Sequence, residues 1–220
     1  LWLNPSGTPS LRLILQILIG GLAVSAAGCV ANDLWDQRID REVARTSQRP
    51  LARGDLNRVQ AFTLLAVLLT LSLMVVISLP ADVRRLCLQL AIWALPPILL
   101  YPSAKRWFPF PQAILAICWG FAVLIPWAAA TGSLSFSLPL IATWGATFCW
   151  TFSFDTVYAM ADRPDDATLK LRSSALTLGH SAVKVVRAGY GLTAAGLAVA
   201  AAATQAGVVF WIFWSVACIG

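Results

Sequence analysis

The chain has 220 residues, 59% of them hydrophobic and 12% charged, with a formal net charge of +6 and a mean hydropathy of +0.75. Soluble domains carry roughly a quarter charged residues, so this composition excludes an ordinary soluble domain and defines a polytopic membrane protein. The excess of Lys and Arg belongs to cytoplasmic loops rather than to a nucleic-acid surface, so the bilayer is an expected partner and nucleic acid is not.

Apolar stretches at 13–31, 59–79, 86–101, 112–131, 138–154, 185–203 and 206–220 are long enough to cross, or nearly cross, a bilayer core. They predict an all-α fold, a transmembrane bundle of seven helices. Pro96 and Pro97 should kink the third. Ten tryptophans, many near segment ends, fit an interfacial belt. Gly189, Gly191, Gly196 and the alanines between 194 and 203 predict close contact by the sixth helix. The chain starts at Leu1 rather than Met and stops at Gly220 within AGVVFWIFWSVACIG, so both ends read as cuts in a longer chain forming one transmembrane domain, 1–220. Five cysteines, Cys29, Cys87, Cys118, Cys149 and Cys218, lie in or beside apolar segments without CxxC spacing and read as membrane-buried thiols.

The charges test this segmentation. Of the sixteen Lys and Arg, all but Arg12, Arg84 and Arg85 fall in the loops after the first, third and fifth spans. Parity places those three loops on one face, and the positive-inside rule makes that face cytoplasmic. Of the ten acidic residues, Asp33, Asp36, Asp40 and Glu42 fall after the first span and Asp155, Asp162, Asp165 and Asp166 after the fifth, leaving only Asp55 and Asp82 outside these groups.

If the first helix runs on through NDLWDQRID, about 100° per residue puts Asp33, Asp36 and Asp40 in a sector roughly 60° wide. Asp155, Asp162 and Asp166 share a face by the same count, although Pro164 disfavours helix at Arg163. Clustered carboxylates repel, and a charge at mid-membrane costs roughly 2.5–3.5 kcal/mol, so a compensating partner is needed. Ordinary ion pairs with the loop arginines are one answer. Mg²⁺ is another: it takes one or two carboxylates, keeps several waters and completes its shell with phosphate oxygens. A diphosphate held by Mg²⁺ between two helix ends is the ligand this second reading implies. Arg38, Arg45, Arg49, Lys105, Arg106, Lys170 and Arg172 are candidates to clamp its oxygens, with Arg49, Lys105 and Arg172 the first choices. Tyr158, between Asp155 and Asp162, either faces the same cavity or packs. His180 is the single histidine, which leaves a histidine-ligated metal without support, and Ser173 and Ser174 fit a cap or turn. A transporter with aspartate-lined sites is the rival class; it would place ionisable residues near mid-membrane and show repeated halves.

AAGCVANDLWDQRIDREVARTSQRPLARG at 26–54 and DTVYAMADRPDDATLKLRSSALTLG at 155–179 resemble the two motifs of the UbiA-type intramembrane aromatic prenyltransferases. The resemblance implies nine transmembrane helices around a central cavity open to lipid, of which this chain would carry the second to eighth. It implies transfer of a polyprenyl group from its diphosphate to an aromatic acceptor in ubiquinone or plastoquinone biosynthesis. The wording AGCVxND and DTxYAMxD favours 4-hydroxybenzoate over homogentisate, a naphthoate, chlorophyllide or haem. Carried over residue by residue, it makes Asp33, Asp36 and Asp40 with Asn32 the holders of one Mg²⁺, and Asp155, Asp162 and Asp166 those of a second ion or orienters of the first. Asp36, Asp162, Arg49 and Arg172 become catalytic. The implied location is a bacterial inner membrane, a thylakoid or an organelle inner membrane, with the site loops cytoplasmic. One departure is LKLRSS, where a GxKS-like element is usual: Arg172 replaces the lysine, and Leu169 or Lys170 stands where glycine is expected.

Overall fold

A computed structural model describes residues 9–219, and every regular element among them is helical. The long helices are α1 (Leu11–Asp40), α3 (Arg58–Ile77), α4 (Ala81–Ala104), α5 (Pro111–Thr131), α6 (Leu138–Ala161), α9 (Ala182–Ala203) and α10 (Val208–Ile219). Short helices α2 (Pro50–Arg53), α7 (Arg163–Thr168) and α8 (Ser174–Leu178) lie in the polar loops, and a 3₁₀ turn at Gly179–Ser181 leads into α9. The ends at Leu1 and Gly220 lie outside the described residues.

Local chemistry sets the boundaries. The Ser10 side chain accepts the Leu13 N–H at 3.2 Å at the start of α1. Asn57 and Gln60 form a reciprocal capping box on α3. Proline sits in the first turn of α2, α5, α6 and α7, where its missing N–H costs nothing. Pro96, Pro97 and Pro102 all fall inside the single helix α4.

Each expected span falls on a helix, but they are not equal as membrane spans. α1, α3, α4, α5 and the stretch Ser174–Ala203 are long and apolar enough to cross a bilayer. α10 has only 12 residues. α6 has the length, yet Thr143, Thr147, Thr151, Ser153 and Thr156 dilute its apolar character below that of those five. At about 1.5 Å per residue the 30 residues of α1 span about 45 Å, roughly 15 Å more than a bilayer core. That excess is enough for its last turns, which carry the acidic motif, to extend beyond the core.

Neighbours in sequence pack as neighbours in space: α3 on α1, α4 on α5, α5 on α6 and, most extensively, α6 on α9. The last contact depends on missing side chains, because a Cβ on Gly189 would collide with Ser153 Oγ and one on Gly196 would lie 3.0 Å from the Ala142 carbonyl oxygen. Gly191 faces open space instead. α1 and α6 do not pack on each other along their lengths; α4 and α5 back the space between their carboxyl-terminal ends. At the opposite end Leu79, Val83, Cys87, Leu90, Ala128 and Ala129 form an apolar plug. There Arg12 donates to the Ser78 carbonyl at 3.3 Å and Arg84 to that of Leu79 at 2.8 Å. Those basic residues thus sit away from the acidic end, as loop parity requires. The five cysteines carry free thiols, buried at Cys87 and exposed at Cys29 and Cys218.

Candidate active site

α1 stays helical through Asp40, so Asp36 and Asp40 project into a cavity of about 240 Å³ at the acidic end of the bundle. α6 ends at Ala161 and Asp162 is both its last cap and the first cap of α7, with Pro164 in the new first turn. The break that Pro164 predicts is real, yet the Asp166 N–H still reaches the Asp162 carbonyl at 2.9 Å and Asp155, Asp162 and Asp166 all line the cavity. The first, third and fifth interhelical loops meet here.

Charge is balanced across elements. Arg49 bridges Asp33 at 2.8 Å and Asp40 at 3.0 Å. Asp36, 1% exposed, receives Lys105 Nζ and, at 3.3 Å, Arg106. Arg45 grips Asp162 with a two-pronged contact of 2.8 and 2.5 Å, joining the first motif loop to the second. That contact is also the main reason the Arg45 guanidinium holds its proton even more firmly than usual. The Asp155 carboxylate makes no ion pair or hydrogen bond among the described residues. Asp166 is pushed above the ordinary carboxylate range, chiefly by burial and partly by Asp162, while Ser173 and Lys105 oppose the shift.

A second layer holds the 163–179 segment on the bundle. Arg163 donates to the carbonyls of Ala175 at 2.8 Å and Gly179 at 2.7 Å. The Arg172 N–H donates to the Lys105 carbonyl at 2.7 Å. Buried Thr156 and Ser174 share a hydroxyl hydrogen bond of 2.7 Å, and the Ser174 N–H donates to Gln112 Oε1 at 2.8 Å. Ser173 caps α8, accepting from Leu176 N–H, as a cap reading expects.

Of the residues singled out from sequence, Asn32, Asp36, Asp40, Arg45, Arg49, Lys105, Asp155, Tyr158, Asp162, Asp166 and Arg172 line the cavity. Asp33 and Arg106 stand behind that wall and reach it through Arg49 and Asp36. Arg38 and Lys170 do not belong to it. Arg38 lies about 200° around α1 from Asp36 and is exposed. Lys170 is exposed on the turn that ends α7. At φ +55° it occupies the left-handed region, so it is Lys170 that holds the place where the usual element has glycine. Its Leu171 N–H bonds the Asp166 carbonyl at 2.8 Å and its own N–H that of Ala167 at 3.3 Å, a Schellman closure made without glycine. Tyr101, Thr46 and Gln112 also line the cavity and were not singled out. A tyrosine four residues before Lys105 and a glutamine at the mouth of an apolar run were the available signals.

Among the described residues no three Asp, Glu, His or Cys side chains form a ready-made metal cluster, so the three carboxylates of α1 do not converge on one ion centre. The donor set nevertheless suits Mg²⁺. It is entirely oxygen, it includes the unpaired carboxylate of Asp155 beside Asp162, and hydrated Mg²⁺ asks for only one or two protein carboxylates.

The helical bundle thus gathers acidic and basic side chains into one cavity at the end where its first, third and fifth loops meet. The sequence model of the UbiA prenyltransferase family matches residues 1–220, and the chain belongs to that family. It is 42% identical to a 4-hydroxybenzoate solanesyltransferase from Synechocystis sp. over 99% of its length and 73% of that protein's. With a 4-hydroxybenzoate octaprenyltransferase from Shewanella amazonensis it shares 36% identity, covering 91% of this chain and 67% of the other. Among solved structures, a UbiA homolog from Aeropyrum pernix in its apo form superimposes with a TM-score of 0.86 at 26% identity, covering 96% of this chain and 78% of that one. A UbiA homolog from Archaeoglobus fulgidus bound to GPP and Mg²⁺ shares the fold, with a TM-score of 0.68 at 17% identity over 97% and 73% of the two chains.

Proposed function

We propose that this protein is an integral membrane aromatic prenyltransferase that joins a polyprenyl group from its allylic diphosphate to 4-hydroxybenzoate, a step of ubiquinone or plastoquinone synthesis. The observation that carries this reading is the convergence of both acidic motifs and their arginines on one cavity where the apolar bundle meets water. The names of the relatives support the acceptor. The isoprenoid tail lies in the apolar zone and the diphosphate in the cavity, facing the cytoplasm on the charge distribution of the loops.

Asp36, Asp40, Asp155, Asp162 and Asp166, with Asn32, are the residues that would hold Mg²⁺, and Asp33 acts on the same site through Arg49. When bound, the ion supplies charge neutralisation for the departing diphosphate. Arg45, Arg49, Lys105 and Arg172 take up the remaining negative charge, a stabilisation that grows as the bond breaks. The allylic C–O bond cleaves with both electrons leaving on the diphosphate. The ring carbon beside the phenol hydroxyl then supplies the electron pair of the new C–C bond and afterwards loses its proton. Ile39, Val43, Pro102 and Tyr158 line the same cavity and keep water from the cation. In membranes given radiolabelled allylic diphosphate and 4-hydroxybenzoate, the protein should form a labelled, lipid-soluble aromatic product. Asp36→Ala and Asp162→Ala should each reduce that product at least about 100-fold without loss of membrane insertion; near-normal turnover by either variant refutes the assignment.

A further inference from the structure

The cavity has one wall that the diphosphate chemistry does not use. α5 begins at Pro111 with Phe110 at the cap position, and no side chain caps that end. Its first backbone N–H, on Gln112, therefore stays open at the positive end of a 21-residue helix. The Gln112 side chain lines the cavity while only 6% of the residue is exposed. Its orientation is fixed, because Oε1 accepts the Ser174 N–H at 2.8 Å. The amide nitrogen consequently presents two donors, and Nε2 has no partner among the described residues. An amide whose oxygen is spoken for and whose nitrogen opens on a cavity offers two directed donors to whatever enters it. No carboxylate of the protein is paired there, whereas Arg45, Arg49 and Lys105 are already matched to aspartates.

We infer that Gln112 and the amino-terminal end of α5 read the aromatic acceptor, with Gln112 Nε2 donating to the acceptor's carboxylate. This deepens the prenyltransferase reading and rests on it. The site separates the two anions of the reaction: the diphosphate lies among residues that bind metal and phosphate, and the singly charged carboxylate lies on neutral donors and a helix end. Such a wall rejects acceptors without an anionic group, since they leave the amide unmatched.

The test separates this role from a structural one. Gln112→Glu keeps an oxygen for the Ser174 N–H but replaces the cavity-facing donors with a negative acceptor. Gln112→Met removes both functions at nearly equal volume. In membranes containing the protein, with product followed by radiolabel, Gln112→Glu should raise the KM for 4-hydroxybenzoate at least about tenfold and leave the KM for the allylic diphosphate within about twofold. Gln112→Met should shift the same constant in the same direction. An unchanged acceptor KM in either folded variant overturns the inference, as does a rise that falls on the diphosphate instead. Accumulation of neither variant in the membrane would assign Gln112 a structural role and overturn it equally. Inactivity of the unaltered protein with these substrates would sink the functional reading itself, whereas normal Gln112→Glu kinetics in an active protein sinks only this inference.

Discussion

Asp166 shows what burial does to a single carboxylate in this cavity. Burial raises its carboxyl above the ordinary range. A raised carboxyl confers stability that is complete below the unfolded value and is lost as pH rises through the folded one, so at neutral pH its ionisation works against folding. Asp166→Asn removes that cost. The variant should melt higher than the parent in chelator at neutral pH, the advantage should vanish in acid, and added Mg²⁺ should stabilise it less than it does the parent. Differential scanning fluorimetry in detergent reads all three, and a neutral-pH melting temperature below the parent's would contradict the account. Residues of this type are legible in sequence because an acid beside an apolar run has few bland explanations. Charge alone makes Arg38 a candidate, but it lies about 200° around α1 from Asp36 and outside the cavity lining. Gln112 was missed for the opposite reason: a neutral amide at a helix start has many ordinary uses, and only the Ser174 N–H on its oxygen shows that its nitrogen is left over.

At the scale of elements, the helices were legible wherever apolar length decided them and less so where composition was mixed. α6 carries hydroxyl side chains because it is the most heavily packed helix, pressed between α5 and α9, and that burial is invisible to a count of apolar residues. The glycines of α9 were all read as contact sites, but sequence spacing could not say which of them face α6. The distinction has a measurable consequence. Gly189→Ala puts a methyl group into Ser153 and should destabilise the protein by about 1–3 kcal/mol, the usual cost of overpacking. Gly191→Ala meets nothing within 4 Å and should stabilise by about 0.5–1 kcal/mol through the lost flexibility of glycine. Melting temperatures in detergent should therefore move in opposite directions, and a shared sign would show that α9 does not sit on α6 through Gly189.

On the scale of the whole molecule, the cavity is held together by its own ion pairs. Arg45 belongs to Asp162, Arg49 to Asp33 and Asp40, and Lys105 and Arg106 to Asp36. These are the groups that a metal ion and a diphosphate would each need. Binding either one alone breaks pairs and strands the partners: a cation on Asp36 leaves the half-buried Lys105 without its counterion, and a diphosphate on Arg45 and Lys105 leaves Asp162 and Asp36 bare. Such stranding is costliest at Asp36 and Asp40, the buried members of these pairs, so single ligands should bind weakly. Bound together, the metal takes the carboxylates and the diphosphate takes the guanidinium and ammonium groups, which restores every match. The two ligands are thus linked through the exchange of partners, with a coupling free energy of about 1–3 kcal/mol expected. Titrating inorganic pyrophosphate with and without Mg²⁺ against the thermal stability of the protein measures it: each alone should shift the melting temperature little, and the pair should shift it by more than the sum. Chelator should cancel the joint shift. Additive shifts would mean that the observed ion pairs survive ligand binding, and the cavity would then bind its two ligands independently.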